Sequence, residues 1–136
     1  MKKVSYLLSF ALIFLPTSVV FCQNFDYQKC VNEALNDTDM AYCENEAYKA
    51  SDLSLNYNYQ KLKAQCQSYE GAAAKDCLKD LANMQIAWIE MKEQTALFVV
   101  KYGKNAGSTR SLVDEARFNK EETQKRALVL EQIATR

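Results

Sequence analysis

The chain has 136 residues, enough for one domain, with 17 basic and 17 acidic side chains and a mean hydropathy of −0.33. Removing Lys2 and Lys3, for the reason given next, takes the 17 basic residues to 15 against 17 acidic, so a basic nucleic-acid binder is excluded. Histidine is absent, which excludes Ser-His and Cys-His nucleophile pairs and every histidine-based zinc site.

Lys2 and Lys3 precede an apolar run from Val4 to Leu15, then Pro16, Thr17 and Ser18. A basic start, a short apolar core and turn-forming residues predict a secretory signal over residues 1–22, leaving a domain over 23–136. The run is shorter than the roughly 20 apolar residues of a membrane span, the reading with which it competes. Val20 and Cys22 suit the small-residue positions before an ordinary signal peptidase cut, with Gln23 first in the mature chain. Lipidation of Cys22 is the alternative exit and would put the protein on a membrane, but Phe21 is bulky for it.

The piece from Phe25 to Leu35 is short and amphipathic and carries Cys30. Asn36-Asp37-Thr38-Asp39 reads as a helix entrance, with Asp37 or Thr38 as the cap. No Pro or Gly interrupts from there to Tyr69, and Cys43, Ala47, Leu55, Tyr59, Leu62 and Cys66 fall on one stripe. This predicts a helix of about 30 residues, roughly 45 Å long. Its acids, Asp26, Glu33, Asp37, Asp39, Glu44, Glu46 and Asp52 against Lys29 and Lys49, read as a solvated helix start or as an acidic face for a cationic partner. Asn56, a poor helix former, is expected to bond Asp52 or Gln85, or to face water.

Gly71 breaks that helix and an alanine-rich restart follows. Cys77, Leu81, Met84, Trp88, Met91, Thr95, Phe98 and Tyr102 then form an unbroken heptad seam around the only tryptophan. Such a stripe predicts a long helix that the other elements are built to cover. Gly103 to Ser108 has loop composition, and Ser108 or Thr109 is the expected cap of a last helix. Leu112, Ala116, Thr123, Ala127, Leu130 and Ile133 form its stripe, the weakest of the three. With no period-two alternation, the fold is expected to be all-α, an antiparallel three-helix bundle with a short disulfide-stapled N-terminal helix.

Without Cys22, four cysteines remain, and an even number in an exported chain predicts two disulfides. Cys43 and Cys66 would lie about 34 Å apart on one helix, so they cannot bond. Cys77 starts the next helix beside Cys66 and far from Cys43. The surviving pairs are Cys30–Cys43 and Cys66–Cys77. A C-x-x-C redox pair is missing, and two distant pairs cannot converge on a metal. Glu44/Glu46 and Glu121/Glu122 offer carboxylates that no partner base singles out, so neither enzyme chemistry nor a cofactor is predicted.

The motifs resemble one family. Asp37-Thr38-Asp39-Met40-Ala41-Tyr42-Cys43, Asp52, Leu55-Asn56, Tyr59 and Leu62 are similar to its first helix. Leu81, Gln85, Ala87-Trp88-Ile89 and Lys92-Glu93 are similar to its second, and Gly107-Ser108, Thr123, Arg126 and Leu130 follow its tail. This is the small exported helical domain named after the LprI lysozyme inhibitor. The resemblance implies a periplasmic or secreted binding protein with a protein partner, in its specific version a basic lysozyme. The loop residues Gly103, Lys104, Asn105, Gly107 and Ser108 are then candidate partner contacts, against the plainer reading of a helix connection. Two departures stand out. Family cysteines expected to tie the Trp88 helix to the last one are replaced by Ala96 and Phe118, and the family's Arg-Asp pair is Lys92-Glu93. The alternative is a structural or assembly protein of the envelope, acting through helix–helix contacts on the last helix.

Overall fold

The computed structural model describes residues 25–135, so the signal segment 1–22 and Cys22 lie outside the described residues. Four helices follow in order: α1 (Tyr27–Glu33), α2 (Asp37–Gln67), α3 (Ala72–Tyr102) and α4 (Arg110–Ala134). The described chain is an all-α bundle with α1 stapled to its side.

Local chemistry sets the boundaries. Asp26 caps α1 by accepting from the Lys29 amide at 2.9 Å. The α2 cap is Asn36, one residue before the expected Asp37 or Thr38, and its side chain accepts from the Asp39 amide. Asp39 reaches back to accept from the Leu35 amide, so the two residues close the helix start reciprocally. Gly71, at φ +61°, makes the turn between α2 and α3 in a conformation that residues with a Cβ rarely adopt. Thr109 precedes α4 without a side-chain cap bond, and its hydroxyl donates instead to Asp37 of α2 at 3.1 Å.

The α2–α4 pair carries the densest packing, and the two helices run parallel. Asp37 meets Arg110 at one end, Asn58 meets Ala127 in the middle, and Gln65 meets Ala134 at the other end. Helix α3 returns antiparallel to both. Helix α4 contributes Ser111, Val113, Ala116, Thr123, Ala127, Leu130 and Ala134 to the buried set, whereas α3 contributes only Leu81 and Ala96.

This reverses the expected hierarchy. The last helix, whose stripe looked weakest, is the centre of the bundle, because its buried face is built from small side chains that add little hydropathy. Small residues let α2 approach until its side chains reach α4 carbonyls. The Asn58 amide donates to Ala127 O at 3.0 Å, and Gln65 donates to Ala134 O at 2.9 Å. The second bond satisfies a carbonyl in the last turn of α4 that has no intrahelical partner. Leu112 and Ile133, expected inside, are exposed, and Val113 and Ala134 take the inward positions beside them.

The heptad seam of α3 also fails in part. Met91, Phe98 and Tyr102 are exposed, and the inward face runs through Leu81, Gln85, Trp88, Lys92, Ala96 and Val99. A straight α-helix drifts about 20° per heptad against a 3.5-residue repeat, so a strict heptad leaves the buried face within three repeats. The α2 stripe holds, with Cys43, Leu55, Leu62 and Cys66 buried.

Two disulfides close the fold. Cys30 joins Cys43 across α1 and α2, and Cys66 joins Cys77 across the Gly71 turn, with Cα atoms 5.7 and 5.3 Å apart. Each loop of this size adds about 2–3 kcal/mol by restricting the unfolded chain.

Two outcomes follow from the packing. Thr123 is fully buried, and its hydroxyl has no hydrogen-bond partner among the described residues. Thr123→Val keeps the shape and removes the unpaired group, so it should stabilise the protein by about 1 kcal/mol in urea denaturation. Loss of stability would contradict the unpaired hydroxyl. Along α3, amide exchange should be faster over residues 97–102 than over 78–88, where burial is deeper. Equal protection would refute that gradient.

Candidate functional site

Among the described residues, Glu44 is the one carboxylate with no solvent exposure at all. It accepts from Lys120 Nζ at 2.6 Å, Arg117 Nε at 2.9 Å and Tyr27 Oη at 3.0 Å, so α1, α2 and α4 meet on one side chain. Lys120 also lies 4.4 Å from the Tyr27 ring centroid. Burial raises the Glu44 pKa, but the hydrogen bonds from Lys120, Arg117 and Tyr27 outweigh it and hold the carboxyl below its ordinary value. Burial correspondingly lowers Lys120, and its bonds to Glu44 and Tyr27 outweigh that, leaving it raised. Nothing in the sequence marked Glu44, because its two cations sit more than seventy residues away, beyond any local pairing rule.

Apart from the exposed Glu33, the rest of the acidic run is also engaged internally. Asp26 and Asp39 serve helix starts, Asp37 pairs with Arg110 at 3.1 Å, Glu46 pairs with Lys49, and Asp52 accepts from Asn56. These acids therefore do not form a free acidic face. Asn56 is exposed, and the buried asparagine is Asn58.

Trp88 is half-buried and flanked by cations. Lys92 Nζ stands 5.0 Å from its ring and 5.3 Å from that of Tyr48, and the Arg126 guanidinium stands 5.7 Å from Trp88. Arg126 also donates to Gln85 Oε1 and Met84 O. Burial pulls Arg126 below its ordinary value. The family-like residues Gln85, Trp88, Lys92 and Arg126 thus converge as a joint between α3 and α4. A lysine suffices at position 92, since a point charge between two rings needs no planar fork.

The loop residues expected to contact a partner lie at the end where α2 and α4 begin. Gly103 closes α3, its amide donating to Val99 O at 3.0 Å, and a Cβ there would collide with that carbonyl. Asn105 donates to Asp114 at 2.7 Å, and Ser108 Oγ donates to Asn105 O. Gly107 adopts φ +78°. With Thr109 bonded to Asp37, the loop is pinned to both α2 and α4. Lys104, Gly107 and Ser108 are exposed, while Gly103 and Asn105 are half-buried.

Beside this loop the helices part. A cleft of about 430 Å³ opens between Asn45 and Tyr48 of α2, the Lys92 to Leu97 segment of α3, and Glu115 and Asn119 of α4. Ala96, where the family resemblance implies a cysteine, lines it. Leu97, Phe98, Tyr102 and Leu112 are exposed around this end, with the Phe98 and Tyr102 rings 5.1 Å apart.

Among the described residues no group of three or more His, Cys, Asp or Glu side chains could hold a metal ion, and no helix is long and apolar enough to cross a membrane. Two disulfides on a small helical bundle point to a protein of an oxidising, extracytoplasmic setting. The model of the family described as Lysozyme inhibitor LprI matches residues 30–130, and the chain belongs to that family. No curated protein and no solved structure matches it.

The Glu44 node has a definite pH signature. Its folded pKa lies below the unfolded one, so its contribution is complete above the ordinary carboxylate range and is lost as pH falls through the lowered folded value. Glu44→Gln should cost about 3 kcal/mol at neutral pH, the low end for breaking a buried pair, because Arg117 and Lys120 can still reach water. Urea midpoints of variant and wild type should converge under acid. A constant gap at all pH values would show that the charge is not responsible.

Proposed function

We propose that the protein acts outside the cytoplasm, after removal of residues 1–22, as a periplasmic or secreted inhibitor that binds lysozyme. The match to the lysozyme inhibitor family over residues 30–130 carries this reading. The geometry supports a binding role at the end of the bundle formed by Gly103 to Ser108 and the adjoining part of α3. An inhibitor needs a rigid, exposed surface, and the loop is fixed by Asn105–Asp114 and Thr109–Asp37. Phe98 and Tyr102, at 62% and 71% exposure, supply the aromatic anchors that dominate protein interfaces. The alternative of an assembly protein docking through the α4 stripe has less support, since most of that stripe is spent inside the bundle.

Lysozyme turnover with stoichiometric, disulfide-intact protein tests the proposal. Inhibition at micromolar concentration is expected, and its absence rejects lysozyme as the target. The double substitution Phe98→Ala and Tyr102→Ala removes only exposed side chains. It should leave the thermal midpoint near wild type while weakening inhibition by about tenfold or more.

A further inference from the structure

The cleft beside the loop is lined by two acids, two asparagines and a lysine. Glu93 on α3 and Glu115 on α4 stand on opposite walls, and neither carboxylate has a hydrogen bond or ion pair among the described residues. Of the other acids at this end, Asp37 pairs with Arg110, Glu44 with Arg117 and Lys120, and Asp114 with Asn105. Asn45 and Asn119, also on the walls, have side-chain amides without a partner among the described residues. Lys92 is the one cation of the lining among the described residues, and its ammonium lies over Trp88 and Tyr48. Two free carboxylates therefore face the space against one cation already held by aromatic faces.

We propose that this cleft receives a lysine or arginine side chain of the protein partner, its charged head held between Glu93 and Glu115. This rests on the reading that the chain binds a protein. The volume, about 430 Å³, is in the range of sites that enclose a ligand group. It adjoins a smaller hollow of about 300 Å³ where Leu112 joins Asn45, Glu115 and Asn119. A long basic side chain matches this layout, since its stem lies along Leu112 and Leu97 while its head meets the carboxylates and amide oxygens. A neutral or acidic occupant would desolvate two carboxylates without pairing them, at a large cost.

A partner-independent probe is a blocked Gly-Leu-Arg-Leu-Gly peptide, titrated into isotope-labelled, disulfide-intact protein, with norleucine replacing arginine as control. The arginine peptide should shift the Asn45 and Asn119 side-chain amides, and the control should not. Affinity should fall by about tenfold in the double variant Glu93→Gln, Glu115→Gln and on raising the salt, and should rise about threefold in Lys92→Met. Shifts elsewhere, no shifts up to millimolar peptide, or an unchanged double variant would each overturn the proposal. Lysozyme assays on the same proteins separate it from the reading beneath it. Peptide binding without inhibition rejects lysozyme and keeps the cleft, whereas inhibition undiminished in the double variant keeps lysozyme and rejects the cleft.

Discussion

The close approach of α2 to α4 is the constraint on which the other features depend. It requires small side chains along one face of α4, and Ala116, Thr123, Ala127 and Ala134 are buried there. It brings polar side chains of α2 against the α4 backbone, where Asn58 and Gln65 find acceptors. It also places Glu44 within reach of Arg117 and Lys120. A buried carboxylate is costly unless it is paired and hydrogen-bonded, and three donors from two other helices meet that demand. The parallel register of α2 and α4 is thereby fixed from Asp37–Arg110 at one end to Gln65–Ala134 at the other.

Helix α1 depends on the same node. It buries no residue of its own, and a seven-residue helix is far below the length at which an isolated helix is stable in water. What holds it is the Cys30–Cys43 bond together with the Tyr27 hydroxyl on Glu44 and Lys120 over the Tyr27 ring. The disulfide restricts where α1 can go, and the polar contact sets how it lies.

Element boundaries and cysteine pairing were legible because they follow from local rules. Gly71 and the Gly103–Ser108 composition mark the two long turns, and the helix rise leaves Cys30–Cys43 and Cys66–Cys77 as pairings that the chain can reach. The family resemblance was legible too, from motifs spread over α2, α3 and α4. Hierarchy was not. Ala116, Thr123 and Ala127 carry little hydropathy, so α4 read as peripheral, while Met91, Phe98 and Tyr102 read as core although they face outward. Glu44 read as one acid in a solvated run, and Glu93 and Glu115 were not singled out as a pair. In each case the deciding neighbour lies on another helix, and a one-dimensional periodicity records neither distance nor direction.

Beyond Trp88, α3 buries little, and the proposed binding surface lies along this stretch. The Cys66–Cys77 bond and the Trp88–Arg126 contact fix α3 over its first half. Past Lys92 only Ala96 is buried, and a small side chain at that position fills little of the space between the helices. The space left beside Ala96, between α3 and the α2–α4 pair, is the cleft. Leu97, Phe98 and Tyr102 lie on the outward face of this segment and stay in solvent, at a cost in apolar exposure that the fold alone gives no reason to bear. Larger side chains at Ala96 and Asn119 would fill the gap and draw α3 inward. Their absence leaves the cleft open between Glu93 and Glu115, where the proposed partner side chain would sit.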